Sequence, residues 1–413
     1  GLGDVYKRQG HVIVTLFLLC GMHDAGIRFG DGELLAACCR TFDDAVTRRM
    51  YLTGAMGRQS DERFSDPFAL DNRTSIGEGC QSIAAMQLSQ RLLLQTADAR
   101  YADLIEHVMY NNLPANVGLD GTTFYYHNRL AARPEDATGE PYSGIVTETD
   151  KARMPRNCLQ RQPWFKVPCC PPNVSIAMST IGEYAYAATH GGVYISQYLD
   201  SAAVISVDDT RLRLTQKTRY PWSGHVTLLV EPEPSNWRGE LCLRIPDWCR
   251  QFESTGELYR PRPKQTPDTW SVRMNGSSVE PAVLRRGYLV LDRDWRKNDV
   301  IELDLPMPVL RVTTSPRVAA NRGRVALQRG PIVYCIEAGD HGGRTRNIAL
   351  PPDAPLRAEQ RPDLLGGVTV LLGKARREPC AGGEDGSIDL LAIPYGVWGN
   401  RGAGEMDVWI REQ

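Results

Sequence analysis

The sequence predicts a multidomain α plus β protein, with helices in the first half and antiparallel β-sandwich material in the second. Up to about Gly191, apolar residues recur at helical spacing, as in Tyr101, Leu104, Ile105, Val108 and Met109, which share one helix face. Beyond Gly191 apolar and polar residues alternate, as in Ile301, Leu303 and Leu305. A chain of 413 residues, 42% of them hydrophobic, can bury more than one core.

Taken in order, Gly1 to Gln9 has no starting Met, resembles adapter-derived sequence and is set apart from the fold as an artefactual leader. The chain is then expected to be a fragment of a longer gene product. Lys7 and Arg8 before the apolar run Val12 to Cys20 imitate a signal peptide, but no small residues mark a cleavage point. The run is therefore read as a buried helix, and no stretch reaches the ~18 apolar residues of a membrane span. Further helices are expected over Ser82 to Thr96 and Val174 to Ala188, the latter with Asn173 as N-cap. Thr122 to Asn128 reads as a strand. Val272 and Met274 lead into an Asn275-Gly276 turn, and Tyr288 to Leu291 forms another strand. Arg260 to Pro267 and Ala381 to Gly386, rich in Pro and Gly, read as loops.

Charge excludes one class of partner. With 48 basic against 49 acidic residues and no basic patch, the chain has no electrostatic footprint for nucleic acid. Eleven cysteines without a small-domain repeat suit a reducing or metal-protected setting, which favours the cytoplasm over the periplasm.

Four residues have the chemistry of a metal site. Glu78 and Cys80 lie upstream of the adjacent pair Cys169 and Cys170, and three thiolates with a carboxylate fill a tetrahedral zinc shell without water. Neighbouring residues on a regular helix point about 100° apart, so the pair needs irregular backbone, which Pro168 and Pro171 supply. Both thiol groups fall at expected helix N-termini, where the helix dipole favours thiolates. A strained disulfide between Cys169 and Cys170 and a purely structural zinc are the competing readings. Cys20, Cys38, Cys39, Cys158, Cys242, Cys249, Cys335 and Cys380 lack partners at ligand spacing and read as core filler.

The Glu-x-Cys element and the run Trp164-Phe165-Lys166-Val167-Pro168-Cys169-Cys170-Pro171-Pro172-Asn173 resemble glycoside hydrolase family 127 and its close relatives, the β-L-arabinofuranosidases. The resemblance extends to Arg48-Arg49-Met50-Tyr51-Leu52-Thr53-Gly54, Leu243-Arg244-Ile245-Pro246-Asp247-Trp248, Gln328 to Cys335, and Ile393-Pro394-Tyr395 through Glu405-Met406. It implies the C-terminal half of an (α/α)6 barrel over residues 10–187. It also implies a first β-sandwich from 188–307 with 390–413, and a second from 308–389.

By the same resemblance the ligands Glu78, Cys80, Cys169 and Cys170 hold Zn2+, Cys169 is the nucleophile of a retaining glycosidase, and Glu62, within Asp61-Glu62-Arg63-Phe64-Ser65, is the general acid/base. Read from sequence alone, Glu62 is an ordinary surface charge. His11 matches a substrate-contacting histidine. Tyr125 and Trp164 are candidate sugar-facing aromatics, although aromatics in a strand are usually core. Gly79 and Gln81 replace the small residues usual beside the first cysteine, Val14 stands where an Arg is common, and Arg129 replaces a Pro. The expected partner is a plant-derived carbohydrate, with a homodimer as the candidate assembly and no membrane span. The competing function is a non-catalytic, zinc-stabilised remnant that binds glycan or has a structural part only.

Overall fold

Helix α1, Val12–Phe29, is closed by Gly30 in the left-handed conformation, and α2, Gly32–Arg48, starts at once because the Asp31 side chain accepts from the Leu34 amide at 3.0 Å. The computed structural model describes residues 10–58, 61–136, 159–165, 167–250, 252–262, 270–280, 284–378 and 386–413. Helices α3, Gly79–Thr96, and α4, Ala99–Tyr110, follow, then α5, Cys170–Ser179. In α3 Ile83, Ala84, Ala85, Met86, Leu88 and Leu92 have no exposed surface, which makes it the central helix against which α1, α4 and α5 pack. The apolar face predicted on α4 is buried throughout. Gly1 to Gln9 lies outside the described residues.

Two sequence expectations change in this half. The single helix over Val174 to Ala188 is broken: α5 begins at Cys170 and stops at Ser179, a short 3-10 turn covers Ile181–Tyr184, and Tyr186–Thr189 is a strand. Pro171 and Pro172 occupy the first helical turn, where a missing N–H costs nothing, so the helix starts before them and Asn173 sits inside it. Thr122 to Asn128 is not a regular strand. Phe124 exchanges backbone hydrogen bonds with Gln162, the Tyr125 amide donates to Asn116 and the Asn128 amide to Ile76, so three partners divide the segment and no ladder builds.

Against the expectation that no stretch reaches the length of a membrane span, α1 is the one described helix long and apolar enough to cross a membrane by length and composition, with a mean hydropathy of 1.5. Its Val12, Leu16, Leu19, Cys20 and His23 are buried in the helical core, while Val14, Leu18, Ile27 and Phe29 face outward.

Two sheets form the middle of the chain. Strands Tyr288–Arg296, Asn236–Arg244, Gly192–Ile195 and Tyr186–Thr189 make one, with a parallel pairing between the second and third. Ser277–Ser278, Ser271–Met274, Asp299–Asp304, His225–Glu233, Thr210–Thr218 and Ser201–Val207 make the other, antiparallel throughout. Val193, Ile195, Leu241 and Leu243 of the first share a core with Leu212, Leu228, Ile301 and Leu303 of the second, the alternation expected of two facing sheets. Asn275 and Gly276, at φ +50° and +81°, form the two-residue hairpin turn predicted for them.

In the last part the strands pair around a ring. Arg324–Arg329 pairs Ile332–Glu337, which pairs Gly386–Pro394, then Val368–Arg377, Ile348–Leu350, Ile410–Glu412 and Arg324–Arg329 again. The ring closes on its own core of Val325, Leu327, Tyr334, Ile348, Leu371, Leu390 and Ile410. Residues 390–413, assigned from sequence to the first sandwich, contribute strands to this ring. Tyr259–Arg262, expected as loop, is an edge strand on Val309–Thr314, where Pro261 is tolerated because an edge leaves one side of the backbone unpaired. The rest of that loop and most of Ala381 to Gly386 lie outside the described residues.

Buried charge joins the helices to the middle sheets. Arg244, with no exposed surface, donates to Asp103 Oδ1 at 2.7 Å and to Glu106 Oε1 at 2.5 Å, both on α4, and Arg250 also pairs with Asp103. Trp248 Nε1 donates to Glu106 Oε2 at 3.2 Å, so the Leu243 to Trp248 motif is spent on this junction. Removing one partner of such a network strands the others without water. Arg244→Ala is expected to lower unfolding free energy by about 3–5 kcal/mol, read from urea denaturation, whereas Arg238→Ala, an exposed pair with Asp292, is expected to cost under about 1 kcal/mol.

Candidate active site

The two helix N-termini that carry the predicted ligands meet. Glu78 is the N-cap of α3 and Cys80 its second residue; Cys169 is the N-cap of α5 and Cys170 its first residue. Both cysteines have helical backbone, with φ −70° and ψ −32° at Cys169, so the irregular backbone expected for the pair is not found, and their side chains bring the thiols together from it. The Sγ atoms of Cys80 and Cys170 are 3.6 Å apart, and those of Cys169 and Cys170 3.9 Å apart, too far for a disulfide. Glu78 Oε1 lies 2.9 Å from Cys169 Sγ and 3.9 Å from Cys170 Sγ. All four donor atoms fall within 4.8 Å of one another.

These spacings fit a tetrahedral ion. Zinc–sulfur bonds of ~2.3 Å imply sulfur–sulfur edges of roughly 3.8 Å, close to the two measured here. Glu78, Cys80 and Cys170 are buried and Cys169 is half-buried, so the site opens to solvent on the Cys169 side.

Four acidic groups in so small a buried volume cannot all ionise. Burial, with the Cys169 thiolate beside it, pushes the Glu78 carboxyl up to about 9. Hydrogen bonds from the Cys170 and Cys80 thiols hold Cys169 well below the usual thiol range, while those same bonds and burial push Cys80 and Cys170 above it. The four groups titrate as one coupled set, and a dication bound among them would displace the protons that burial favours.

The loop that carries Glu78 depends on one glycine. Gly77 has φ +57°, and a Cβ there would sit 1.8 Å from the Asn128 carbonyl oxygen. Asn112 Nδ2 donates to the Gly77 carbonyl at 3.2 Å and to Ser82 Oγ at 2.6 Å, which fixes the entry to α3.

Glu62 is delivered from a different loop. Its own φ is +58°, unusual for a residue with a side chain, and its backbone is tied on both sides: its amide to Arg58 O at 3.0 Å and its carbonyl to the Val12 amide at 2.9 Å. Glu62 Oε2 is 2.6 Å from His11 Nε2, and Tyr126 Oη donates to Glu62 Oε1 at 3.3 Å. The same Tyr126 Oη is 3.8 Å from Cys169 Sγ. One phenol therefore stands between Glu62 and the cysteine cluster.

The sequence-predicted aromatics part company. Tyr125 is 1% exposed, stacks on Trp398 and donates to Leu159 O at 2.8 Å, so it is core beneath the site rather than a face toward it. Tyr126 is the residue that reaches the site. Trp164 is half-buried, while its neighbour Phe165, 1% exposed, meets Tyr126 edge-on with ring centroids 5.5 Å apart. The sequence places Tyr125 and Tyr126 side by side without stating which faces inward, because the segment is not a regular strand. Of the cysteines read as filler, Cys20, Cys38, Cys242 and Cys335 are buried, Cys39 and Cys249 are half-buried, and Cys158 and Cys380 lie outside the described residues.

Similarity to known proteins covers the same ground. The family model described as β-L-arabinofuranosidase, GH127 catalytic domain, matches residues 4–183, that of the GH127 middle domain matches 192–307, and that of the glycoside hydrolase family 127 C-terminal domain matches 309–411. A non-reducing end β-L-arabinofuranosidase of Bifidobacterium longum subsp. longum is 30% identical over 433 aligned residues, covering 99% of this chain and 60% of that protein. The crystal structure of a GH127 β-L-arabinofuranosidase from Geobacillus stearothermophilus T6 superposes with a TM-score of 0.85 at 35% identity, covering 98% of this chain and 61% of its own. A GH127 β-arabinofuranosidase structure gives 0.89 at 32% identity, covering 98% and 60%. The chain thus spans about three fifths of the length of these relatives. With its three domain models in sequence along nearly the whole chain, and a Glu–Cys cluster that could hold a metal ion at the N-termini of two helices, this chain belongs to glycoside hydrolase family 127.

Proposed function

We propose that the protein is a retaining glycoside hydrolase that releases β-L-arabinofuranose from plant-derived glycans, with Cys169 as nucleophile and Glu62 as general acid/base. The observation that carries this reading is Tyr126, whose one hydroxyl lies 3.8 Å from Cys169 Sγ and 3.3 Å from Glu62 Oε1. A structural metal site has no use for Glu62, yet here a strained backbone, His11 and Tyr126 all hold it beside the most accessible thiol. Double displacement needs a nucleophile and a proton donor about 5–5.5 Å apart across the anomeric carbon when both are carboxyls, and two short steps through one phenol are compatible with that spacing.

Glu78, Cys80, Cys169 and Cys170 would hold Zn2+, a match of soft thiolates to a borderline-soft ion. When bound, the ion keeps the thiolates deprotonated at neutral pH and offsets their charge. The Cys169 thiolate attacks the anomeric carbon while the Glu62 carboxyl gives its proton to the departing glycosidic oxygen. The carbon–oxygen bond breaks and a carbon–sulfur bond forms. Glu62, now a carboxylate, takes a proton from water as that water attacks the same carbon and Cys169 leaves as thiolate. Two inversions give retention. His11 and Tyr126, one on each Glu62 oxygen, orient the carboxyl toward the leaving group.

Helices α1 to α5 are read as part of an (α/α)6 barrel.

In assays of the purified protein, one zinc per chain and release of p-nitrophenol from its β-L-arabinofuranoside are expected. Cys169→Ser is expected to abolish release. Glu62→Gln is expected to lower it by at least about 100-fold with zinc content unchanged, and normal turnover in either variant would sink the mechanism.

Metal uptake is expected to release protons, because Glu78, Cys80 and Cys170 are all shifted toward their protonated forms. The sign follows: affinity rises with pH through the neutral range, by about tenfold per pH unit for each proton released. Calorimetry in two buffers of different ionisation heat reads the count, and uptake with no proton release contradicts it.

A further inference from the structure

Gln81 is the third residue of α3, 1% exposed, one turn beyond the N-cap Glu78. Its backbone amide donates to Glu78 O at 3.2 Å, closing the first turn of the helix, and its side-chain Nε2 donates to Glu78 Oε2 at 3.1 Å. Glu78 makes no side-chain cap to its own helix, and two contacts divide its carboxylate: Oε2 faces Gln81 and Oε1 faces the thiols of Cys169 and Cys170.

On its other face the Gln81 amide packs against Gly57. A Cβ at Gly57, where φ is +85°, would come 3.2 Å from both Nε2 and Oε1 of Gln81 and 3.0 Å from Val12 Cγ2. Gly57 opens the loop whose next residue, Arg58, pairs through its amide with Arg63 O at 3.0 Å and accepts the Glu62 amide at 3.0 Å. A single buried amide therefore touches the ligand on one side and the root of the Glu62 loop on the other.

We infer that Gln81 is a positioning residue that holds Glu78 as a one-oxygen ligand, leaving only Oε1 for the ion, and sets the distance between the ligand cluster and the Glu62 loop. The inference rests on the metal-site reading proposed above. An uncharged donor suits the place: a site already holding a carboxylate and three thiols gains an oriented hydrogen bond without a fifth acidic group. A second carboxylate oxygen turned inward would crowd a shell that three cysteines nearly fill.

The test is competition for zinc against a chromophoric chelator, together with the visible absorption of the cobalt-substituted protein, for wild type, Gln81→Met, Glu78→Ala and the double variant. Methionine keeps the length and volume of the side chain but cannot donate. Gln81→Met is expected to weaken zinc binding by roughly 10–100-fold and to change the cobalt ligand-field bands, while in the Glu78→Ala background the same substitution changes neither. Equal zinc affinity and identical cobalt bands in Gln81→Met and wild type overturn the inference and leave the metal-site reading standing; a wild type that binds neither metal overturns both. Equal losses with and without Glu78 also overturn it, since they make Gln81 a packing residue. Should Gln81→Met fail to fold, the side-chain amide resonances of nitrogen-15 glutamine in the wild type decide. A Gln81 amide slow to exchange and shifted by zinc supports the role, and one that exchanges freely or ignores zinc overturns it.

Discussion

Three thiols and a carboxylate are brought together at the starts of α3 and α5, and much of the described structure serves that meeting. Like groups at such short range repel once ionised, so without compensation burial favours their protonated forms. Two helix N-termini aimed at the same point supply positive potential from their free N–H groups. Packing of α5 on α3 keeps the ends in register. That packing depends in turn on α3 being buried on nearly every side, by α1, α4 and α5.

The same constraint explains the economy of the surrounding loops. Gly77 must be glycine because the chain passes the Asn128 carbonyl too closely for a side chain, and the Glu62 loop runs through a positive φ at the residue that bears the carboxylate. Strain of this kind persists where neighbouring contacts over-determine it, and here the Val12, Arg58, His11 and Tyr126 contacts do so. The junction with the sheets adds a second anchor. Arg244, Asp103 and Glu106 tie α4 to the sheet strand Asn236–Arg244 by charge that water cannot reach.

That Glu78, Cys80, Cys169 and Cys170 gather in a cluster that could hold a metal ion was legible in the sequence, because metal chemistry constrains residue type more tightly than fold does. Glu62 was not legible from its residues, being one carboxylate beside an Asp and an Arg; only likeness to a family singled it out, and its partners His11 and Tyr126 come from segments far along the chain. The choice between Tyr125 and Tyr126 failed for a physical reason. Period-two reasoning needs a regular strand, and this segment divides its backbone hydrogen bonds among Gln162, Asn116 and Ile76. The start of α5 was misplaced by four residues because Pro171 and Pro172 were read as preceding the helix, whereas proline is at home in its first turn.

By itself the sequence determined the helical-then-sheet order, the Asn275-Gly276 hairpin, the buried face of α4 and the donor set at Glu78, Cys80, Cys169 and Cys170, since each rests on local periodicity, turn chemistry or residue type. Tertiary structure alone decided that residues 390–413 close a ring with the strands before them, that Tyr126 rather than Tyr125 stands between Glu62 and Cys169, and that Gln81 holds the second oxygen of Glu78. These are contacts between segments distant in sequence or choices between adjacent side chains, and both are fixed by how elements pack, which no local pattern of residues encodes.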